Sequence, residues 1–186
     1  RYDFLAEQLG VVPERPLVYW WTRDILDNYA LYPRFSEANP ARVGLQTSDN
    51  ERFLRFPWEI YRRDLEVKLS TAPNVSASKW APYIKGAAGT AWYEPLSFIV
   101  RSRHNILEIQ SFSKSVMRNP DFNFRLGVAF SPIGSSFIAR AHRYRSVFSN
   151  MGSSVFPVDI PNAVCLMNSA KAKYVLKSFN PGNHFE

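Results

Sequence analysis

The feature that most constrains the fold is a polar turn joined directly to an apolar segment. Residues 44–50 read GLQTSDN, and residues 51–60 continue as ERFLRFPWEI. Gly44 tolerates a positive φ, and the Thr, Ser, Asp and Asn that follow can bond their own backbone, so the first half predicts a turn. The second half predicts a strand with alternating faces that ends at Pro57, which cannot donate a ladder bond. A turn on such a base presents side chains outward, although an ordinary β-turn fits equally well.

The composition is that of a folded, basic domain. With 46% hydrophobic and 15% aromatic residues, the 186-residue chain can bury a core and is not disordered. The 23 Lys and Arg exceed the 16 Asp and Glu, and a net charge of +7 favours a polyanionic partner. The single cysteine excludes an internal disulfide and indicates a cytoplasmic location. We expect no membrane partner, since no apolar run is long enough to span one. The absence of an initial Met suggests a fragment of a longer chain.

A second informative stretch is KWAPYIKGAAGTAWY at residues 79–93. Lys79 and Lys85 bracket Trp80 and Tyr83, and a glycine-containing turn follows. Cations interleaved with aromatic rings suit contact with a phosphate backbone and its bases. The alternative is that some of these rings are anchors of the hydrophobic core.

The third stretch is a series of short strands at residues 125–131, 137–140 and 148–156, separated by Gly and Ser turns, which predicts an antiparallel sheet. Arg140, His142, Arg143 and Arg145 form a dense basic edge there. This edge is either an electrostatic footprint for duplex DNA or a solvated strand edge guarded by charge.

The whole pattern predicts an α+β fold with a mixed, mainly antiparallel twisted sheet and flanking helices. Residues 1–15 are predicted as an N-terminal helix and linker, and residues 16–186 as one domain that ends in a helix. Further predicted elements are a strand or buried segment at 17–21, a helix at 23–30 after Thr22, an edge strand or exposed helix at 61–70, a helix at 106–116 and one amphipathic helix at 163–179.

Four blocks of the chain, in the same order, resemble large bacterial DNA adenine-N6 methyltransferases, the BREX-type phage-exclusion methylases and the related Type IIG restriction–modification enzymes. Residues 44–59 resemble the block G-L-x-T-G-D-N-x-x-F-x-R-x-W-E, with Ser48 in place of the usual Gly. Residues 80–93 resemble W-x-P-Y-x-K-G-G-x-x-R-x-W-Y. The strands after residue 125 and the NS and NP pairs of residues 166–181 resemble the remaining blocks.

The resemblance implies a target-recognition domain that reads a DNA sequence and presents the duplex to a catalytic domain outside this chain. Asn and Gln pair with adenine and Arg with guanine, so loop side chains are candidates for base edges and other basic residues for phosphates. The candidate DNA-binding residues are Gln46, Thr47, Asn50, Arg52, Lys79, Lys85, Arg140 and Arg143. Asn50 is fixed in the block among enzymes with different targets, which favours a structural role, whereas Gln46 is not fixed and is the better specificity candidate.

The motifs of methyl transfer are missing from the chain. An Asn/Asp-Pro-Pro-Tyr/Phe loop is expected in such enzymes, but Asn39-Pro40, Asn119-Pro120 and Asn180-Pro181 are followed by Ala, Asp and Gly, and no G-x-G occurs. We therefore expect no catalysis and no cofactor in this segment, with S-adenosylmethionine in the parent enzyme by resemblance. The catalytic domain of the parent and other defence-system proteins are further candidate partners.

Two alternatives remain open. One is a protein-interaction module of a defence complex with an incidental basic face. The other is a metal-dependent nuclease, in which Glu66 and Lys68 act with Asp49 or Asp64 to hold Mg²⁺ and support an attacking water. One Cys and three widely spaced His, which we expect on the surface or facing a phosphate, do not make a zinc site.

Overall fold

The computed structural model describes residues 10–13, 15–67, 79–86, 91–102, 106–180, 182 and 185. Its α-helices are Arg23–Leu31 (α1), Phe35–Ala38 (α2), Asn50–Phe53 (α3), Leu107–Gln110 (α4), Ile160–Asn168 (α5) and Ala170–Phe179 (α6). Its strands are Leu54–Arg55 (β1), Trp80–Ile84 (β2), Trp92–Tyr93 (β3), Phe98–Arg101 (β4), Val128–Phe130 (β5), Ala139–Ala141 (β6), Val147–Phe148 (β7) and Ser154–Val155 (β8). None of the helices described is both long and apolar enough to cross a membrane.

The strands form two four-stranded sheets. The first has the order β1-β4-β2-β7 and the second the order β3-β6-β5-β8. Neighbouring strands are antiparallel except for the pairs β2–β7 and β3–β6, which are parallel. The α+β class and the mainly antiparallel pairing are confirmed, but the strands divide between two sheets where one was predicted.

Each sheet has its own hydrophobic core, and a third cluster joins them. On the first sheet, Leu45, Phe53 and Ile109 pack against buried strand residues, and on the second sheet helix α5 supplies the cover. Ile84 of β2 and Ala129 of β5 lie in the joining cluster. The two sheets therefore pack against each other through this cluster.

The predicted helix at 163–179 is two helices, because the chain turns at Ser169. The Ser169 hydroxyl accepts a hydrogen bond from the amide of Ala172 (3.1 Å) and so caps α6. The side chain of Asn168 is buried and bonds both backbone groups of Ala139, at 3.0 and 2.8 Å. Asn168 thus fixes α5 to β6. Leu166 and Tyr174, which were predicted on or near the apolar face, are 48% and 44% exposed.

The N-terminal part of the described chain packs on α6. Residues 17–21 form neither a strand nor a fully buried segment: Val18 and Trp21 are buried in a cluster with Leu26 of α1, whereas Leu17 and Tyr19 are exposed. The indole of Trp21 donates a hydrogen bond to the hydroxyl of Ser178 (3.0 Å). The helix predicted after Thr22 is confirmed as α1. Most of the helix predicted before it lies outside the described residues, and the boundary at residue 15 stays a prediction.

Two other elements differ from the prediction. Within the described residues 61–67 there is a short 3₁₀ turn, Arg62–Asp64, and neither a strand nor an α-helix; residues 68–70 lie outside the described chain. The helix predicted at 106–116 is the single turn α4, which begins after Ile106 at a φ of 69°.

Candidate nucleic-acid interface

The loop at residues 45–50 is held on both sides by backbone hydrogen bonds. Gln46 exchanges two of them with Val116, at 2.9 and 3.0 Å. Leu45 receives three contacts: its amide donates to Phe148 (2.8 Å), and its carbonyl accepts from the amide of Asn150 (3.2 Å) and the hydroxyl of Tyr83 (3.2 Å). The loop is therefore a fixed platform and not a free turn.

Glycine at position 44 is required by a close approach and not by a positive φ. A Cβ at Gly44 would lie 2.0 Å from the carbonyl oxygen of Phe148, which no side chain can accommodate. The left-handed position in this loop is Ser48, at a φ of 56°, where the resembling family usually has Gly. The hydroxyl of Ser48 donates to the carbonyl of Lys114 (2.7 Å), and this bond helps to hold the strained turn.

A turn of helix follows the loop where a strand was predicted. The carboxylate of Asp49 accepts a hydrogen bond from the amide of Arg52 (3.0 Å) and caps α3, so the chain becomes extended only at β1. The prediction of alternating faces from Phe53 onward is therefore wrong for Phe53, which lies in α3 and is fully buried. The cap turns the next polar residue, Asn50, toward the surface.

Four of the polar side chains around this loop line one cleft of about 250 Å³. Gln46 and Asn50 come from the loop, Lys85 from the end of β2, and Asn150 from the turn after β7. Hydrogen bonds join the elements that carry them, including the bond between the amide of Ser149 and the carbonyl of Ile84 (2.9 Å). Amides and one ammonium group on a rigid floor can bond to base edges and to a phosphate.

Thr47 and Asn50 are linked to each other within the loop. The Thr47 side chain is buried, and its hydroxyl donates to the side-chain oxygen of Asn50 (2.7 Å). Its carbonyl accepts from the hydroxyl of Ser115 (2.7 Å). Both residues were predicted to bind DNA. Thr47 offers almost no surface for such a contact, whereas Asn50 is exposed and also makes a bond that shapes the loop.

Asn150 is the residue of the cleft that sequence reasoning missed. It lies in the 3₁₀ turn Asn150–Gly152, and its side-chain oxygen accepts from the amide of Met151 (3.0 Å). A Cβ at Gly152 would lie 2.8 Å from the carbonyl of Ile84, so this turn passes close to β2. The motif FSNMG at residues 148–152 was the available signal, but nothing local in it shows that it meets the loop at residues 45–50.

Arg52 and Lys79 are not in the cleft. The guanidinium of Arg52 lies 3.8 Å from the carboxylate of Glu108 and over the rings of Phe53 and Phe112. Lys79 precedes β2, whereas Lys85 follows it, so about six residues of extended chain, ~20 Å, separate the two lysines. The ammonium group of Lys79 lies 3.3 Å from the carboxylate of Asp64. Both cations are about half exposed, so these ion pairs hold them weakly.

The basic edge predicted at residues 140–145 is mostly interior, which is a correction. Arg140 is 0% exposed and its guanidinium is bound to the carboxylate of Glu94, because Arg140 lies in β6, a central strand of the second sheet. Burial raises the pKa of Glu94, and the charge of Arg140 opposes that rise. Arg140 therefore has no surface for a phosphate contact in this structure.

His142 is also buried and not on the surface. Its ring lies 3.1 Å from the hydroxyl of Ser154 and 3.2 Å from the carbonyl of Arg125. Burial lowers the pKa of His142 to about 4, with a further lowering from the charge of Arg140. The ring is thus neutral at pH 7. His104 and His184, predicted on the surface with it, lie outside the described residues.

Arg143 is the exposed cation of this region. Its guanidinium lies 5.4 Å from the ring of Tyr93 and 5.0 Å from that of Tyr144. Trp92 and Tyr93 are about half exposed, and Trp92 has a φ of 72°. In contrast, Tyr83 is a core anchor: it is buried, and burial raises the pKa of its hydroxyl. Rings of the second stretch therefore divide between core and surface.

The residues of the nuclease alternative do not form a metal site in the part of the chain that is described. There, no three His, Cys, Asp or Glu side chains lie close enough together to hold a metal ion. Asp49 caps α3, and Asp64 is paired with Lys79. Lys68 lies outside the described residues.

Comparison with known proteins supports the family resemblance. The chain is 30% identical over 189 residues to an adenine-specific methyltransferase PglX of Lacticaseibacillus casei (strain Zhang). The match covers 94% of this chain but 16% of that protein, so the chain spans about a sixth of the curated relative. No family model matches the chain. The similarity to PglX supports a relationship of this chain to the BREX-type adenine-specific methyltransferases.

Proposed function

We propose that this chain is the DNA-contacting, target-recognition segment of a BREX-type adenine-N6 methyltransferase. It binds and positions duplex DNA, and methyl transfer from S-adenosylmethionine belongs to a catalytic domain of the parent enzyme. The observation that carries the proposal is the cleft in which Gln46, Asn50, Lys85 and Asn150 meet on a rigid floor. The net charge of +7 supports a polyanionic partner.

Within this function the residues take different roles. Lys85 contacts a phosphate, and Gln46 and Asn150 reach base edges, where one bidentate amide contact discriminates by roughly 1–3 kcal/mol. Asn50 shapes the loop through Thr47. Arg143 is a second phosphate contact beside Tyr93, and Arg52 and Lys79 are peripheral cations. Arg140 and Thr47 act through the structure and not through contact.

The experiment is to measure the affinity of the chain for duplex DNA as a function of salt concentration. Phosphate contacts release counterions, so the logarithm of the binding constant falls steeply with the logarithm of salt concentration. We expect such a slope. No binding at low salt, or binding that salt does not weaken, favours the protein-interaction alternative.

A second experiment addresses sequence reading in the parent enzyme. Mapping of methylated adenines in cells that carry the full-length protein is expected to show a changed target sequence for Gln46→Ala. Asn50→Ala lowers the extent of methylation at an unchanged sequence. The reverse pattern would exchange the two roles.

A further inference from the structure

Beside the cleft, three aromatic rings form a continuous stack that ends at the surface. Phe98 of β4 stacks on Phe56 with ring centroids 5.3 Å apart, and Phe56 stacks on Trp58 at 4.6 Å with an angle of 3° between the ring planes. We call these three rings the aromatic stack. Trp58 is 75% exposed, so the last ring of the aromatic stack meets solvent.

The turn that carries Phe56 and Trp58 is held in place before any ligand arrives. Pro57 fixes φ at the start of the 3₁₀ turn Pro57–Glu59. The carboxylate of Glu59 accepts a hydrogen bond from the amide of Phe56 (2.6 Å), and the amide of Glu59 donates to the carbonyl of Phe56 (3.0 Å). A ring that stacks on Trp58 therefore binds to a side chain whose backbone is already ordered. This order lowers the entropic cost of binding.

A cation and a pocket adjoin the aromatic stack. The ammonium group of Lys85 lies 5.0 Å from the centroid of Phe98, and Lys85 also lines the cleft. A pocket of about 380 Å³ runs along Phe56 and Phe98 and shares Asn50 and Lys85 with the cleft.

We propose that the aromatic stack is a binding platform for an unpaired nucleobase of nucleic acid. Every base has a flat π face that extends a stack of rings, and such stacking is tolerant of sequence. Lys85 lies at the Phe98 end of the aromatic stack, where it can pair with a phosphate of the same nucleic-acid strand at a distance from the base on Trp58. The inference rests on the proposed function for its partner, and it adds a contact with a base outside the duplex stack to the contacts of the cleft.

The test compares three DNA probes: a paired duplex, the same duplex with one bulged nucleotide, and a single strand of twelve thymidines. Wild-type chain is expected to prefer the bulged duplex over the paired one by about tenfold, the typical contribution of one stacked base. Trp58→Leu removes that preference and weakens binding of the single strand about tenfold. Trp58→Phe keeps both, because it retains an aromatic face.

Tyr32→Leu is the matched control, since Tyr32 is an exposed ring at the end of α1 and outside the aromatic stack. It leaves all three affinities unchanged. Circular dichroism and thermal unfolding confirm that each variant is folded. A wild-type chain without preference for the bulge, or Trp58→Leu with unchanged binding of the bulged duplex and the single strand, overturns the inference and leaves the aromatic stack as a face for another protein.

The two proposals fail in different ways. If the paired duplex binds with a steep salt dependence but Trp58 variants bind as wild type, the platform is refuted and the proposed function stands. If the paired duplex does not bind but the bulged duplex and the single strand bind through Trp58, duplex recognition is refuted and the platform stands.

Discussion

Lys85 and Arg140 are both basic residues beside or within a strand, yet the side chain of Lys85 reaches the surface and that of Arg140 is buried. Lys85 follows the last residue of β2, so its ammonium group reaches the surface between the cleft and the aromatic stack. Arg140 lies in the middle of β6, between β3 and β5, where its guanidinium is buried with Glu94. The position of a basic residue along its strand and within the sheet therefore decides whether its charged group is exposed and can contact a ligand.

The largest effect is expected for Arg140→Ala. Removing one partner of a buried ion pair leaves the other charge buried, and such a change costs about 3–5 kcal/mol in the free energy of unfolding. Arg143→Ala, in the same predicted edge but exposed, changes it by less than about 0.5 kcal/mol. Urea unfolding measures both. Equal stabilities of the two variants would show that Arg140 is not interior.

The second effect concerns pH. Because the folded state lowers the pKa of His142 to about 4 from 6.5, the unfolded state binds more protons between these values. Stability therefore falls as pH falls from 6.5 to 4, by up to roughly 3 kcal/mol from this residue. His142→Gln removes that contribution, while Glu94, whose pKa is raised, is unchanged in both proteins. A parallel pH profile for the variant and the wild type would contradict the burial of His142.

The third effect separates two residues of the cleft. Asn50→Ala leaves the buried hydroxyl of Thr47 without its acceptor and costs about 1 kcal/mol in the free energy of unfolding. Gln46→Ala costs less than about 0.5 kcal/mol, because its exposed side chain makes only a long 3.5 Å contact with Ser48. Thermal unfolding of the two variants gives the comparison. A larger loss for Gln46→Ala would assign the structural role to Gln46.

Local signals predicted the fold class well but not the environment of single residues. Thr22 and the apolar positions after it predicted α1, and proline and glycine marked the turns. The side chain of Asp49 decided for a turn of helix over a strand, and Ser169 divided the last helix, since a cap competes with the apolar pattern on either side. These residues were visible in the sequence, but their hydrogen-bond partners were not.

The candidate site divides in the same way. Gln46 and Asn50 are neighbours in one motif, so their shared cleft was predictable. Asn150 and Lys85 join them through contacts between β2 and the turn after β7, which are distant in sequence. The burial of Arg140 depends on Glu94, a partner 46 positions away. No pattern within one segment contains that information.

The proposed function depends most on a contact between Lys85 in the cleft and a DNA phosphate. The most direct measurement is the salt dependence of duplex binding by Lys85→Ala beside Lys171→Ala, which removes the same charge from an exposed position on α6. Lys85→Ala is expected to weaken binding several-fold and to lower the slope of log affinity against log salt by about one. Lys171→Ala changes neither. Equal effects of the two variants, or no effect of Lys85→Ala, would show that Lys85 makes no specific contact with DNA phosphate.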